Sequence, residues 1–203
     1  MKRDGDTRKI LLTSAKQEFM KKGYMKACLR TICRKAGVTT GALYFFFENK
    51  EDLFHAVVDE GYQALLHVVQ NHFEAERQYF LEGADEASLG EALDDFIMAE
   101  KVIDCMYQYR DCFELLLEKS QGTAYENCVE NYEKLVLAHS MPLLRKRADE
   151  RRIVITENQL FWGTHSLVEY FVYLFRHEED VSVAKEKMAE IIPFYKMIFL
   201  DID

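Results

Sequence analysis

With 203 residues, 49% of them hydrophobic and 30% charged, the chain is long enough to bury one large core or two small ones. It has no stretch of about 18 apolar residues to span a membrane, and the charged opening MKRDGDTRKILLTSAKQEF lacks the apolar centre of a signal peptide; the expectation is a cytoplasmic protein with no membrane partner. The net charge of −9 argues against a nucleic-acid partner until its distribution is read. Residues 1–50 hold twelve Lys or Arg against four Asp or Glu, a net +8, while residues 51–203 hold fourteen against thirty-one, a net −17. A basic head on an acidic body is the charge pattern of a polyanion-seeking segment.

Only two prolines and nine glycines occur, which favours helices over turn-rich β-structure. In chain order, Ile10, Leu11, Ala15 and Phe19 recur at helical spacing after Asp6 or Thr7 and stop at Gly23. A short helix over about 29–36 presents Leu29, Ile32, Cys33 and Ala36 and ends at Gly37. Thr39 caps a helix over about 40–47, and Asn49 caps a fourth with Leu53, Val57, Leu65 and Val69 on one stripe. After a loop at EGADEA, capping pairs Ser88 with Glu91, Thr123 with Glu126, and Thr156 with Gln159 recur, with Asp111 and Glu114 a looser version. They predict helices at about 89–109, 112–119, 124–139, 142–151, 157–177 and 182–200. No β-alternation and no repeat is present. The fold class expected is all-α: an N-terminal three-helix domain with a helix-turn-helix over 1–50, then a larger helical ligand-binding and dimerisation domain over 51–203.

Five cysteines, Cys28, Cys33, Cys105, Cys112 and Cys128, are odd in number and form no C-x-x-C pair, so they read as free thiols with no metal site. None of the six histidines has Glu three residues before it, as a di-iron bundle requires, and Asp52 before His55 stands alone. No G-x-S-x-G or phosphate-cradling loop occurs. No catalytic residue, cofactor or metal is expected.

The stretch LYFFF, Leu43–Phe47, sets four consecutive rings on one short helix. Successive helical residues point about 100° apart, so one face cannot bury them all. Leu43 and Phe47 share a face and, with Val38, should close a small core against Leu11, Ala15, Phe19 and Ile32. Phe45 lies nearly opposite, flanked by Gly41 and Ala42, with Tyr44 and Phe46 at the edges. This is the face a helix-turn-helix presents to a major groove.

LRTICRKAGVTTGALYFFFENKEDLF resembles the signature of TetR-type transcriptional regulators. Arg30, Ile32, Ala36, Gly37, Val38, Thr39, Gly41, Leu43, Tyr44, Phe47, Asn49, Lys50, Glu51 and Leu53 fall in register without a gap. The resemblance covers about residues 7–55 and implies a regulator, most often a repressor, bound to a palindromic double-stranded DNA operator. It implies phosphate contacts for Tyr44 and Lys50, a base or phosphate contact for Arg30, base-edge or phosphate contacts for Thr39 and Thr40, and close backbone approach at Gly41. Three positions depart from the pattern: Cys28 for a capping Thr, Thr40 for a basic residue, and Phe46 for His or Tyr.

Helices 157–177 and 182–200 carry more apolar surface than one packing contact needs, which predicts a homodimer through both. A cavity for a small apolar or aromatic effector is expected among helices 89–177, with Met98, Met106, Tyr107, Tyr109, Phe113, Tyr132, Phe161, Trp162 and His165 as candidate walls. The alternative is a helical-bundle enzyme or interaction module that binds no DNA; the +8 head argues against it.

Overall fold

The computed structural model describes residues 2–151, 154 and 156–195, and within them every regular element is a helix. The elements are α1 (Lys2–Lys26), α2 (Leu29–Ala36), α3 (Thr40–Phe46), α4 (Lys50–Glu82), α5 (Glu86–Leu89), a 3-10 turn (Gly90–Leu93), α6 (Asp95–Gln108), α7 (Arg110–Glu118), α8 (Cys128–Arg151), α9 (Glu157–His177) and α10 (Val181–Tyr195). They divide into two compact units: residues 1–63 with 109–128, and residues 64–108 with 129–203. The sequence places a boundary at residue 50, where the charge changes sign; packing divides the chain elsewhere.

The first unit grows from the expected small core. Leu11, Ala15, Phe19, Ile32 and Leu43 are fully buried and Phe47 nearly so, while Val38 is only half-buried. The Ser14 hydroxyl donates to the Ile32 carbonyl at 2.9 Å and the Lys35 ammonium donates to the buried Glu18 carboxylate at 2.8 Å, tying α1 to α2. Leu53, Phe54 and Val58 of α4 complete the core, with Phe54 edge-on to Phe19 at 5.1 Å between ring centres.

The segment 109–128 belongs to this unit through specific bonds: the Tyr24 amide donates to the Lys119 carbonyl at 2.9 Å and the Lys119 ammonium to the Met20 carbonyl at 2.7 Å. Tyr125 lies edge-on to Tyr62 at 5.4 Å. Gly61 permits the close approach of α7, since a Cβ there would stand 2.8 Å from Cys112 Sγ and from Tyr109 Cβ.

The second unit is built on Ala99 and Ile103 of α6, Leu174 of α9, and Ala184, Met188 and Ile192 of α10. The Tyr107 hydroxyl, with one proton to give, lies 2.8 Å from the Glu178 carbonyl and 3.3 Å from that of Leu174.

Several expected boundaries move for local reasons. The Ser88 hydroxyl donates to the Asp85 carbonyl rather than capping a helix at 89. Asp94 starts α6 instead, its Oδ1 accepting from the Phe96 and Ile97 amides at 2.8 and 3.2 Å. Thr123 caps a turn: its oxygen accepts from the Tyr125 amide at 3.0 Å, and the helix begins only at Cys128. Asp111 lies inside the first turn of α7, which starts at Arg110 without a side-chain cap. Pro142 sits inside α8 rather than dividing it. It forfeits one amide bond, while buried Leu143, Leu144 and Ala148 anchor the turns beyond it. The expected end of the last helix at 200 lies outside the described residues, as do the side chains of Arg147, Arg151 and Arg152. Arg145 pairs with Glu157 at 2.9 Å, and Lys146 bonds the Phe80 carbonyl.

Candidate nucleic-acid interface and ligand cavity

The turn between α2 and α3 is fixed by backbone chemistry. Gly37 adopts φ 68°, the left-handed conformation that ends α2. Its amide donates to the Arg34 carbonyl at 3.3 Å, and the Val38 amide to that of Cys33 at 3.0 Å. Thr39 then starts α3, its hydroxyl oxygen accepting from the Ala42 amide at 3.2 Å. With Leu43 and Phe47 sealed in the core, α3 has one orientation, and its far side is bare: Tyr44 is 58% and Phe45 76% exposed.

Phe46 is half-buried and meets Phe45 edge-on at 5.0 Å. Arg30, Thr39, Thr40 and Gly41 are exposed and Ala42 half-buried, so the expected contact residues gather around α3 and the start of α2. A Cβ on Gly41 would meet only the Thr39 hydroxyl at 3.8 Å. Nothing inside the protein demands glycine there.

Lys50, expected at phosphate, is engaged within the protein. Its ammonium donates to the carbonyls of Tyr24, Met25 and Ala27 at 2.8, 3.2 and 3.3 Å and stands 4.3 Å from the centre of the Tyr24 ring. Burial pushes its pKa down. A charge bonded to the carbonyls at the end of α1 serves the fold of the head.

Cys28 makes no capping hydrogen bond, as its departure from the pattern foretells. The backbone amides of Thr31 and Arg30 nevertheless favour its thiolate and hold its pKa below the ordinary 9.0.

The second unit holds a cavity of about 190 Å³. Phe73, Phe80, Leu143, Leu160, Val168 and Phe171 supply apolar wall, and His72, Glu76, Asp95 and Tyr132 supply polar groups. Met98 and Tyr132, both among the candidate walls, line it. Met106, Tyr109, Phe113, Trp162 and His165 do not: Met106 is buried in the core of the second unit, Tyr109 and Phe113 belong to the first, Trp162 is exposed, and His165 bonds Glu133 at 2.7 Å. Aromatic and Met content alone does not separate cavity wall from core.

His72, which sequence reasoning passed over, is 7% exposed. Burial works to lower its pKa, but Asp95, Glu76 and the Ala92 carbonyl outweigh it and the net direction is up. Its signal in the sequence is the spacing of His72 and Glu76, one helical turn apart; Asp95 and His139 join them only through the fold.

The first unit carries a helix-turn-helix with a bare face on α3, and the second unit encloses a cavity. Residues 11–57 match the family model described as bacterial regulatory proteins, tetR family. It is 42% identical over 53 residues to the HTH-type transcriptional repressor BepR of Brucella suis biovar 1, covering 26% of this chain and 25% of that one. It is 36% identical over 67 residues to the HTH-type transcriptional regulator TtgR of Pseudomonas putida, covering 33% and 30%. The chain thus spans about a quarter to a third of these curated relatives. In fold it is similar, at a TM-score of 0.64 and 22% identity over 99% of this chain and 100% of the other, to NalD, the secondary repressor of the MexAB-OprM multidrug efflux pump in Pseudomonas aeruginosa. No helix among the described residues is long and apolar enough to cross a membrane.

Proposed function

We propose that the protein is a ligand-responsive transcriptional repressor that binds a palindromic DNA operator as a homodimer. The observation that carries this reading is the orientation of α3, one side locked into the core and the other offering Tyr44 and Phe45 to a partner. The +8 of residues 1–50 supplies attraction to phosphate. Arg30 and Thr40 supply polar readout, Tyr44 a phosphate contact, and Gly41 close approach of the backbone. The names of BepR and NalD as repressors support the direction of regulation. Selection of bound sequences from a random duplex pool tests the reading: an inverted repeat should emerge, and a pool that stays unenriched at low salt overturns it.

The dimer reading is supported by large exposed side chains on the last two helices. Phe161, Trp162 and Tyr173 on α9 are 44%, 55% and 50% exposed, and Phe194 on α10 is 53% exposed. Two-fold pairing of α9 and α10 would cover them. Light scattering at micromolar concentration should give twice the 23.9 kDa chain mass; a clean monomer contradicts it. The effector belongs in the cavity of the second unit, whose volume suits a small apolar or aromatic body with a polar end.

A further inference from the structure

One corner of the cavity in the second unit is polar in a way that an apolar effector does not require. His72 and Glu76 stand one turn apart on α4, and Asp95 opens α6. His72 Nε2 lies 3.6 Å from Glu76 Oε2 and 3.4 Å from Asp95 Oδ1, and one donor atom from each residue lies within 4.8 Å of the others. Both distances exceed a good hydrogen bond. They match the separation of about 3.3–3.6 Å between ligand atoms around a tetrahedral ion with bonds near 2.0–2.2 Å.

The supporting bonds have the same character. His72 Nδ1–H donates to the Ala92 carbonyl at 2.8 Å, which turns the Nε2 lone pair toward the two carboxylates. Glu76 Oε2 accepts from His139 Nε2–H at 2.8 Å, and the His139 ring is stacked on Phe73 at 3.8 Å between centres, 7° from parallel. A ligand imidazole held by a backbone carbonyl, and a ligand carboxylate held by a further side chain, are the outer bonds that orient metal ligands. Two carboxylates converging on one imidazole nitrogen favour a positive charge at that point: a proton on Nε2 supplies one in the absence of metal, and a divalent ion supplies two.

We propose that His72, Glu76 and Asp95 form a site for a divalent first-row transition metal ion of the Zn²⁺ type, with its remaining position open to the cavity. His139 is a positioning residue that fixes the Glu76 carboxylate. The site stands apart from the DNA-binding reading, because metal uptake is measured on the protein without DNA.

The test uses the full chain, stripped with a chelator, then dialysed against Zn²⁺ and analysed for bound metal, with Co²⁺ as a spectroscopic substitute. One ion per chain should be retained, the thermal midpoint should rise, and the Co²⁺ spectrum should lack a thiolate charge-transfer band. Asp95→Asn and Glu76→Gln should each weaken uptake by roughly a hundredfold or more, and His139→Gln by roughly 10–100-fold. Failure to retain an ion, uptake indifferent to both carboxylate variants, or a thiolate band pointing to the cysteines overturns the site. Should a variant fail to fold, X-ray absorption on the Co²⁺-loaded wild type decides: a nitrogen and oxygen shell with one imidazole supports the assignment, and a sulfur-containing or imidazole-free shell overturns it.

Discussion

The Lys50 ammonium donates to the Tyr24 carbonyl at 2.8 Å while standing 4.3 Å above the centre of the same residue's ring. One side chain thus holds the end of α1 by a charge-assisted hydrogen bond and a cation–π contact. Lys50→Ala should destabilise the protein by roughly 1–3 kcal/mol in urea unfolding, and the salt dependence of DNA binding should keep its wild-type slope. Unchanged stability with a slope lowered by about one unit would return Lys50 to the phosphate role.

Gly41 sits in α3 with open space around it, so its lack of a side chain serves no contact within the protein. Gly41→Ala should stabilise the fold by roughly 0.5–1 kcal/mol, the gain of a better helix former. The added methyl faces the proposed groove, and operator affinity should drop roughly tenfold, about 1.4 kcal/mol. Wild-type affinity in a stabilised variant would show that α3 does not approach DNA along this edge.

Phe45, 76% exposed, has no donor or acceptor on its side chain. The apolar landmark of a major groove is the thymine methyl. Replacing the contacted operator thymines with uracil should weaken wild-type binding in an anisotropy titration and leave Phe45→Ala nearly indifferent. Equal wild-type affinity for both operators would mean that the ring packs on sugar and phosphate instead.

Cys28 is exposed, and its thiolate is favoured by two backbone amides, whereas burial pushes Cys33 up and Cys105 up to about 11. Iodoacetamide should label Cys28 first, with a reactivity midpoint below pH 9.0. Mass spectrometry that finds Cys33 or Cys105 alkylated first contradicts this ordering.

What the sequence revealed divides along the range of the forces involved. The helix Leu29–Ala36 ends where Gly37 reverses the chain, and α9 spans Glu157–His177 as read, because Thr156 and Gln159 form a reciprocal capping box. These signals are carried by three or four neighbouring residues. The orientation of α3 was legible for the same reason, since Leu43 and Phe47 lie one turn apart. Ser88 with Glu91 and Thr123 with Glu126 have equally good local chemistry, but Ser88 and Thr123 serve turns, where Asp85 and Ser120 offer carbonyls. The folding of 109–128 with the head depends on Lys119 reaching Met20, ninety-nine residues away in sequence. No local pattern encodes that distance. The polar corner of the cavity escaped for a related reason: His72, Glu76 and Asp95, with His139 behind Glu76, come together from three helices.

Whether the basic head binds duplex DNA is decided by the affinity of the full chain for a selected duplex, measured as a function of salt. Log K should fall linearly with log salt, with a slope of several units from phosphates neutralised by residues 1–50. An unrelated duplex should form a much weaker complex at every salt concentration. No binding at low salt, or an affinity indifferent to salt, would contradict DNA binding by the head.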